Sequence, residues 1–325
     1  MNAPQTDSRL ARAIGRFLAH KRALGYRCRQ EAWLLPKLLH HVEQSGGRDL
    51  NGKGFDRWVT SLRDRHPNTR RAWYQIVHRF CRYRRRSEPG CFLPAADGAA
   101  KHQPYVTPVI VEPAQIARLI AKASQFPQTS ASPLRGPVLR LAIVLLYTCG
   151  LRLGELLRLT MGDLEDQGTV LRIRESKFRK SRLVPLSGSA TRELQTYLRL
   201  RRKAFAADPS TPLLCNRYGG RLHRYSHPGF QTAINQLFEA AGVRDERGRR
   251  PRIHDLRHSF AVQALLRWYR NGADVQSSLP KLALYMGHVS IASSAYYLHW
   301  VPALQHLASQ RFEQRFAHLV KGGAQ

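Results

Sequence analysis

Four short segments of this 325-residue sequence carry side chains that could act on a phosphate. In Cys149-Gly150-Leu151-Arg152-Leu153-Gly154-Glu155, the planar and permanently charged guanidinium of Arg152 suits two-pronged binding of phosphate oxygens. Arg152 follows one helical run and precedes another, a placement that can aim it into a cleft, with Glu155 one turn on to orient it. In His254-Asp255-Leu256-Arg257-His258, His254 and Arg257 lie three apart and share a helix face. A histidine there can shuttle a proton, and an arginine beside it can hold phosphate oxygens. Leu284-Tyr285-Met286-Gly287-His288 is followed, nine residues after His288, by Tyr297 in Tyr296-Tyr297-Leu298-His299. Tyrosine is a poor nucleophile at its free pKa of about 10. It becomes a useful one where cations stabilise the phenolate and the transition state. Taken singly, each segment also fits an ordinary role: a surface Arg–Glu pair, a capped helix start with exposed bases, a packed core tyrosine.

The elements that must position these residues can be read from hydrophobic spacing. The apolar run 138–149 predicts a buried helix ended by Gly150, and 151–159 begins the next. The alternating segments 169–174 and 182–186 predict a hairpin around 175–181. Helices are expected at 113–122, 189–205, 230–241, 254–268, 279–286 and 303–320, the last with Leu304, Leu307, Phe312 and Phe316 along one face. Residues 87–113 are rich in Pro, Gly and Ala and weakly periodic, which suggests a linker and a domain boundary near residue 100. Before it, 8–45 reads as two helices broken at Leu24-Gly25-Tyr26, carrying Leu10, Ile14 and Phe17, then Trp33, Leu34 and Leu38. A third helix covers 55–62. Asn68 could cap a fourth running toward Arg84, with Trp73, Ile76, Val77 and Phe80 inward. Its other side would carry Arg70, Arg71, Arg79, Arg82 and Arg84, with Tyr74 and His78 among them. So purely basic a face favours nucleic-acid backbone contact over simple solvation. The expected fold class is mainly α with a small antiparallel β-sheet. It comprises a helical domain over 1–100, a linker over 101–112 and an α+β domain over 113–325.

Charge narrows the partner. Lys and Arg number 53 against 22 Asp and Glu, a net charge of +31. That surplus repels itself in a lone compact protein and makes sense against a polyanion, where phosphate neutralisation releases counterions. It is no tail: the excess is 12 over residues 1–100 and 19 over 101–325. No run reaches the roughly 18–20 apolar residues that span a bilayer, and MNAPQTDSRL lacks an apolar signal core. The five cysteines (Cys28, Cys81, Cys91, Cys149, Cys215) are scattered, with no CxxC pair. Reduced thiols in a cytoplasmic protein are therefore expected, without a disulfide framework or zinc site.

In this order, Arg, a hairpin lysine, His-x-x-Arg, Gly-His and Tyr, the segments CGLRLGE, Lys177, HDLRH, MGH and Tyr297-Leu298-His299 resemble the tyrosine recombinase family, which includes phage integrases and Xer-type recombinases. The resemblance covers about 112–300 and extends less specifically to the helical first half, which looks like the family's core-binding domain. It implies that Tyr297 attacks the scissile phosphate of double-stranded DNA, giving a 3′-phosphotyrosine and a free 5′-hydroxyl. Arg152 and Arg257 would hold the non-bridging oxygens, and His254 would assist proton transfer from the tyrosine. Lys177 would protonate the leaving oxygen, His288 would add a hydrogen bond, and Glu155 would support the site from behind. Arg70, Arg71, Arg79, Arg82, Arg179 and Lys180 are the expected DNA contacts.

The resemblance further implies four protomers on paired sites, room for sister recombinases, and neither a membrane role, a cofactor nor a metal. The helix over 303–320 either folds back onto its own domain or, as the resemblance implies, docks into a neighbouring protomer. A cytoplasmic, nucleoid-associated enzyme of a mobile element is the expectation. Cys149 stands where the family commonly has threonine, Ser293-Ser294-Ala295 replaces paired threonines, and Tyr296 competes with Tyr297. The rival readings are a type IB DNA-relaxing enzyme and a non-catalytic architectural DNA-binding protein.

Overall fold

Helix-period spacing in the first hundred residues produces four helices: α1 (Arg9–Ala23), α2 (Arg29–Gln44), α3 (Gly52–Ser61) and α4 (Pro67–Arg84). The computed structural model describes residues 8–104, 106–174, 181–206, 208–287, 297 and 309–310. The chain divides into two units, Met1–Val106 and Thr107–Gln325. In the first, the Ser8 hydroxyl caps α1 by accepting from the Ala11 amide, and the Asn51 side chain caps α3 by accepting from Gly54 N at 2.8 Å. Helix α1 packs on α2 and α4, and α2 on α3, around Leu10, Phe17, Leu35, Leu38, Val77 and Phe80.

Helix α4 differs from the sequence reading in two respects. Pro67 occupies its first turn, where a fixed φ is pre-organised and no amide donor is missed. His66, not Asn68, therefore caps it, accepting from Asn68 N at 3.2 Å. The Asn68 side chain instead pairs with the Gln103 backbone in both directions, at 2.8 and 2.9 Å. With Tyr74 Oη donating to Ala95 O and Arg71 Nη1 to Ala100 O, this gives the irregular segment before residue 104 partners on α4. Second, Arg84 and Tyr74 do not lie on the basic face. Tyr74 sits three residues before Val77 and Arg84 seven after it, so the helical period carries both inward, and Arg84 is only 3% exposed. Trp33, expected inside, is 48% exposed beneath the Lys37 ammonium.

In the second unit, α5 (Pro113–Ser124), α6 (Arg135–Thr148), the short α7 (Leu153–Leu156), α8 (Gly188–Ala204), α9 (His227–Ala240) and the start of α10 (Ile253–Arg270) surround one core, and the rest of α10 packs with α11 (Val275–Met286) and Tyr297 in a second cluster. Helix α6 is apolar on nearly every side because it is central, packing against α5, α8 and α10, with Arg140 as the polar exception, paired to Glu193 on α8. Strands β1 (Leu164–Glu165), β2 (Val170–Ile173) and β3 (Arg182–Pro185) form an antiparallel sheet in that order, with Ile173 paired to Arg182. The β2–β3 hairpin was expected. Strand β1 and a second hairpin, β4 (Cys215–Tyr218) with β5 (Arg221–Arg224), were not. The architecture is mainly helical with small antiparallel sheets, as anticipated. The helix expected over 303–320 lies outside the described residues, apart from the helical Ser309 and Gln310.

Candidate active site

The site begins where α6 ends. Gly150 turns the chain at φ +59°, and a Cβ there would meet the Phe260 ring at 2.5 Å, so glycine is required twice over. Arg152 then occupies the N-cap of α7. Its backbone amide donates to Glu155 Oε2 at 3.0 Å and its Nη1 to Oε1 at 2.7 Å. From the opposite side Arg182, first residue of β3, donates Nη1 to Oε1 at 3.2 Å and Nη2 to Oε2 at 3.0 Å. Burial would raise the Glu155 pKa, but Arg182 and Arg152 overturn that and hold the carboxyl down at about 2. An ionised, 3% exposed carboxylate thus locks two guanidiniums in place.

Arg257, on α10, is 1% exposed and is bonded to no carboxylate among the described residues. Its Nη1 donates to Gly150 O and its Nη2 to Met286 O at 2.7 Å. Burial, then the Arg152 guanidinium, push its pKa down to about 9, in the direction opposite to a paired arginine. Three arginines converge on the end of α11. The Tyr285 carbonyl accepts from Arg182 Nε at 2.8 Å, the Met286 carbonyl from Arg257, and the Gly287 carbonyl from Arg152 Nη2 at 3.1 Å. The last carbonyls of a helix lack intrahelical partners and sit at its negative end, so they suit cations. Gly287 closes the helix at φ +66°, and a Cβ there would approach Arg182 Nη1 to 2.9 Å.

The third component is the start of α10, where Arg252 N donates to Asp255 Oδ2 at 2.8 Å. His254 is solvent-facing in this first turn, and His258 follows one turn later, edge-on to it at 4.7 Å between centroids. Tyr297 is 3% exposed, and its hydroxyl lies 2.9 Å from His258 Nδ1. Desolvation, then Arg257, lower the His254 pKa; desolvation, then His254, bring that of His258 down to about 4. The His258 ring is therefore neutral at physiological pH, and its Nδ1 can accept the tyrosine O–H.

The structure therefore brings Arg152, Glu155, His254, Arg257 and Tyr297 together. An open cleft of about 320 Å³ runs past Arg152 and His254, lined also by Gly154, His227, Gln231 and Arg252. Lys177, Arg179, Lys180, His288 and Tyr296 lie outside the described residues. In the first unit Arg79 and Arg82 are exposed on α4, whereas Arg70 and Arg71 are half-buried. Two residues were missed. Arg182 opens the strand after the expected hairpin turn, and its signal was a basic residue at a strand start facing Glu155. His258 lies four residues after His254, a spacing that shares a helix face.

Residues 110–303 match the phage integrase family. A putative integrase/recombinase, y4rB, of Sinorhizobium fredii is 30% identical over 95% of this chain and 98% of its own. The fold is similar to the Tn1549 transposon integrase in complex with a circular intermediate DNA (TM-score 0.64, 15% identity, 94% of this chain and 100% of that one). It is also similar to a lambda integrase dimer bound to a COC′ core site (TM-score 0.57, 18% identity, 89% and 94%). The order of the site residues, the full-length relative and the fold agree: the chain belongs to the phage integrase family, the tyrosine recombinases.

Proposed function

We propose that this chain cuts and rejoins double-stranded DNA at specific sites through a 3′-phosphotyrosine formed by Tyr297. The observation that carries the reading is the meeting of Arg152 and Arg257 at one helix end, with Tyr297 held by a histidine from the same helix as Arg257. A phosphodiester transition state gains negative charge on its non-bridging oxygens, and two fixed guanidiniums answer that charge without reorganising. In this reading Tyr297 Oη attacks phosphorus, His254 assists the proton's departure, Lys177 protonates the leaving 5′-oxygen and His288 adds a hydrogen bond. Glu155 orients Arg152. The link conserves the bond energy, so a 5′-hydroxyl from a partner strand can reseal it without ATP.

The integrases of similar fold were solved on DNA, which supports DNA as the partner here. Exposed Arg79 and Arg82 on α4 would contact its backbone, together with Arg70, Arg71, Arg179 and Lys180. The unit before residue 107 would act as a core-binding domain, and four protomers would assemble on paired sites. A place in the cytoplasm, on the nucleoid, as the recombinase of a mobile element fits this role. The test is covalent capture in SDS on a pool of nicked duplexes of randomised sequence. Wild-type protein should be recovered joined to DNA, also in EDTA, and Tyr297→Phe should not be. Equal capture by Tyr297→Phe would refute the reading.

A further inference from the structure

We infer that His258 is the group that takes the Tyr297 proton as the tyrosine attacks, a role that rests on the reading above and deepens it. The His258 Nδ1 atom stands 2.9 Å from Tyr297 Oη, within direct proton-transfer reach. Across the contact the two rings meet edge-on, 5.5 Å between centroids. His254 touches the edge of the His258 ring and opens onto the cleft, so it stands between His258 and solvent. Among the described residues, the ionisable groups facing His258 are His254, Asp255 and Arg257 on its own helix, Arg252 at that helix's N-cap, and Tyr297 from outside it.

Before DNA arrives, desolvation and the nearby cations disfavour an imidazolium at His258, and the step uses the tautomer with Nδ1 unprotonated and the proton on Nε2. The arriving phosphodiester brings a negative charge to Arg152 and Arg257. That charge offsets the Arg257 guanidinium, which with Arg252 disfavours an imidazolium at His258, so the ring becomes a better base when substrate is bound. In the step itself the Oη–H proton moves to His258 Nδ1, the Oη–P bond forms and the P–O5′ bond breaks. Lys177 gives its proton to the leaving 5′-oxygen. Cleavage thus leaves an imidazolium and a neutral lysine. Resealing returns each proton, the attacking 5′-hydroxyl giving its own to the lysine and His258 giving its own back to Oη.

The test is the pH profile of covalent capture on a nicked duplex recovered from the randomised pool. Wild-type protein should show a rate nearly flat through neutral pH. His258→Asn retains an acceptor near the Nδ1 position but takes no proton. It should be about a hundredfold slower at neutral pH and should gain rate as pH rises toward tyrosine ionisation near 10. His258→Ala should be slow and recover in added imidazole. A merely structural His258 would give a loss independent of pH, or no loss in His258→Asn, and either result overturns the inference. So does a flat profile in His258→Asn with a steep one in His254→Asn. Tyr297→Phe on the same duplex separates the levels: if it is still captured, the nucleophile is wrong. If Tyr297 is required while His258→Asn behaves as wild type, only the role of His258 falls.

Discussion

Each unit buries an arginine, and the two are treated in opposite ways. Arg84 in the first unit is 3% exposed and donates to two carboxylates, Asp49 at 2.6 Å and Glu88 at 2.7 Å. Those partners drive its pKa above the usual guanidinium range. Arg257 in the second unit is 1% exposed and donates to two carbonyls, and burial beside Arg152 drives its pKa down. Arg84 is neutralised and its work is structural, tying the loop at Asp49 to the end of α4. Arg257 donates to carbonyls rather than to a carboxylate among the described residues, and Glu155 offsets its charge only from a distance. Arg201 shows that lack of a carboxylate is not sufficient to mark a site: it too is buried and donates to neutral oxygens of Thr211 and Pro212, with no carboxylate partner among the described residues. What distinguishes Arg257 is company, with Arg152, two neutral histidines and Tyr297 around it. A site for an anion is built by withholding carboxylates from clustered cations, and Glu155 is spent on Arg152 and Arg182 from behind.

The comparison can be broken most sharply at the two arginines. Arg257→Ala and Arg152→Ala should each slow covalent capture by about a hundredfold or more, as loss of a transition-state donor does. Gel-shift affinity should change far less, because many other cations hold the backbone. Arg84→Ala should do the reverse. It leaves Asp49 and Glu88 without their buried partner and should cost about 3 kcal/mol of folding free energy. The check is urea unfolding, with the capture rate of the folded fraction retained. A large capture defect in Arg84→Ala at full stability would erase the distinction drawn between the units.

Smaller effects sharpen it. Arg182 touches no reacting group and acts through Glu155 and the Tyr285 carbonyl, so it is a positioning residue. Arg182→Leu should slow capture roughly tenfold, less than loss of either phosphate-facing arginine. Arg182→Lys should recover part of the rate, with the apparent affinity for DNA unchanged. Glu155 predicts an acid dependence of stability. Its carboxyl, held at about 2 against an ordinary 4.5, stabilises the fold fully above 4.5 and loses that contribution as pH falls toward 2. Unfolding free energy should therefore drop across that window in the wild type and less so in Glu155→Gln. Smallest should be Arg79→Gln or Arg82→Gln on α4, each lowering the salt slope of DNA binding by about one contact without changing capture at saturating DNA.

Much of this arrangement was legible in the residues. CGLRLGE placed Arg152 between two helices with Glu155 behind it, and HDLRH placed His254 and Arg257 on one face, because helical spacing at a chain break is a local property. Arg84 was misplaced because its charge outweighed its position, although the period from Val77 and Phe80 already carried it inward. Strand β1 has two residues, too few to alternate. Strands β4 and β5 are Cys-Asn-Arg-Tyr and Arg-Leu-His-Arg, with almost no apolar face, and only the Gly219-Gly220 turn between them announced a hairpin. The convergence of three arginines on consecutive carbonyls of α11 was invisible, since backbone acceptors leave no mark in side-chain types. The contact of His258 with Tyr297 joins residues 39 apart and depends on tertiary packing.

The most direct measurement maps the covalent bond. Protein captured on the nicked duplex is digested with nuclease and trypsin, and the peptide spanning residues 282–311 is fragmented in a mass spectrometer. Tyr297 should carry a nucleotide 3′-phosphate. A nucleotide on Tyr296 or on Tyr285, with Tyr297 unmodified, would contradict it.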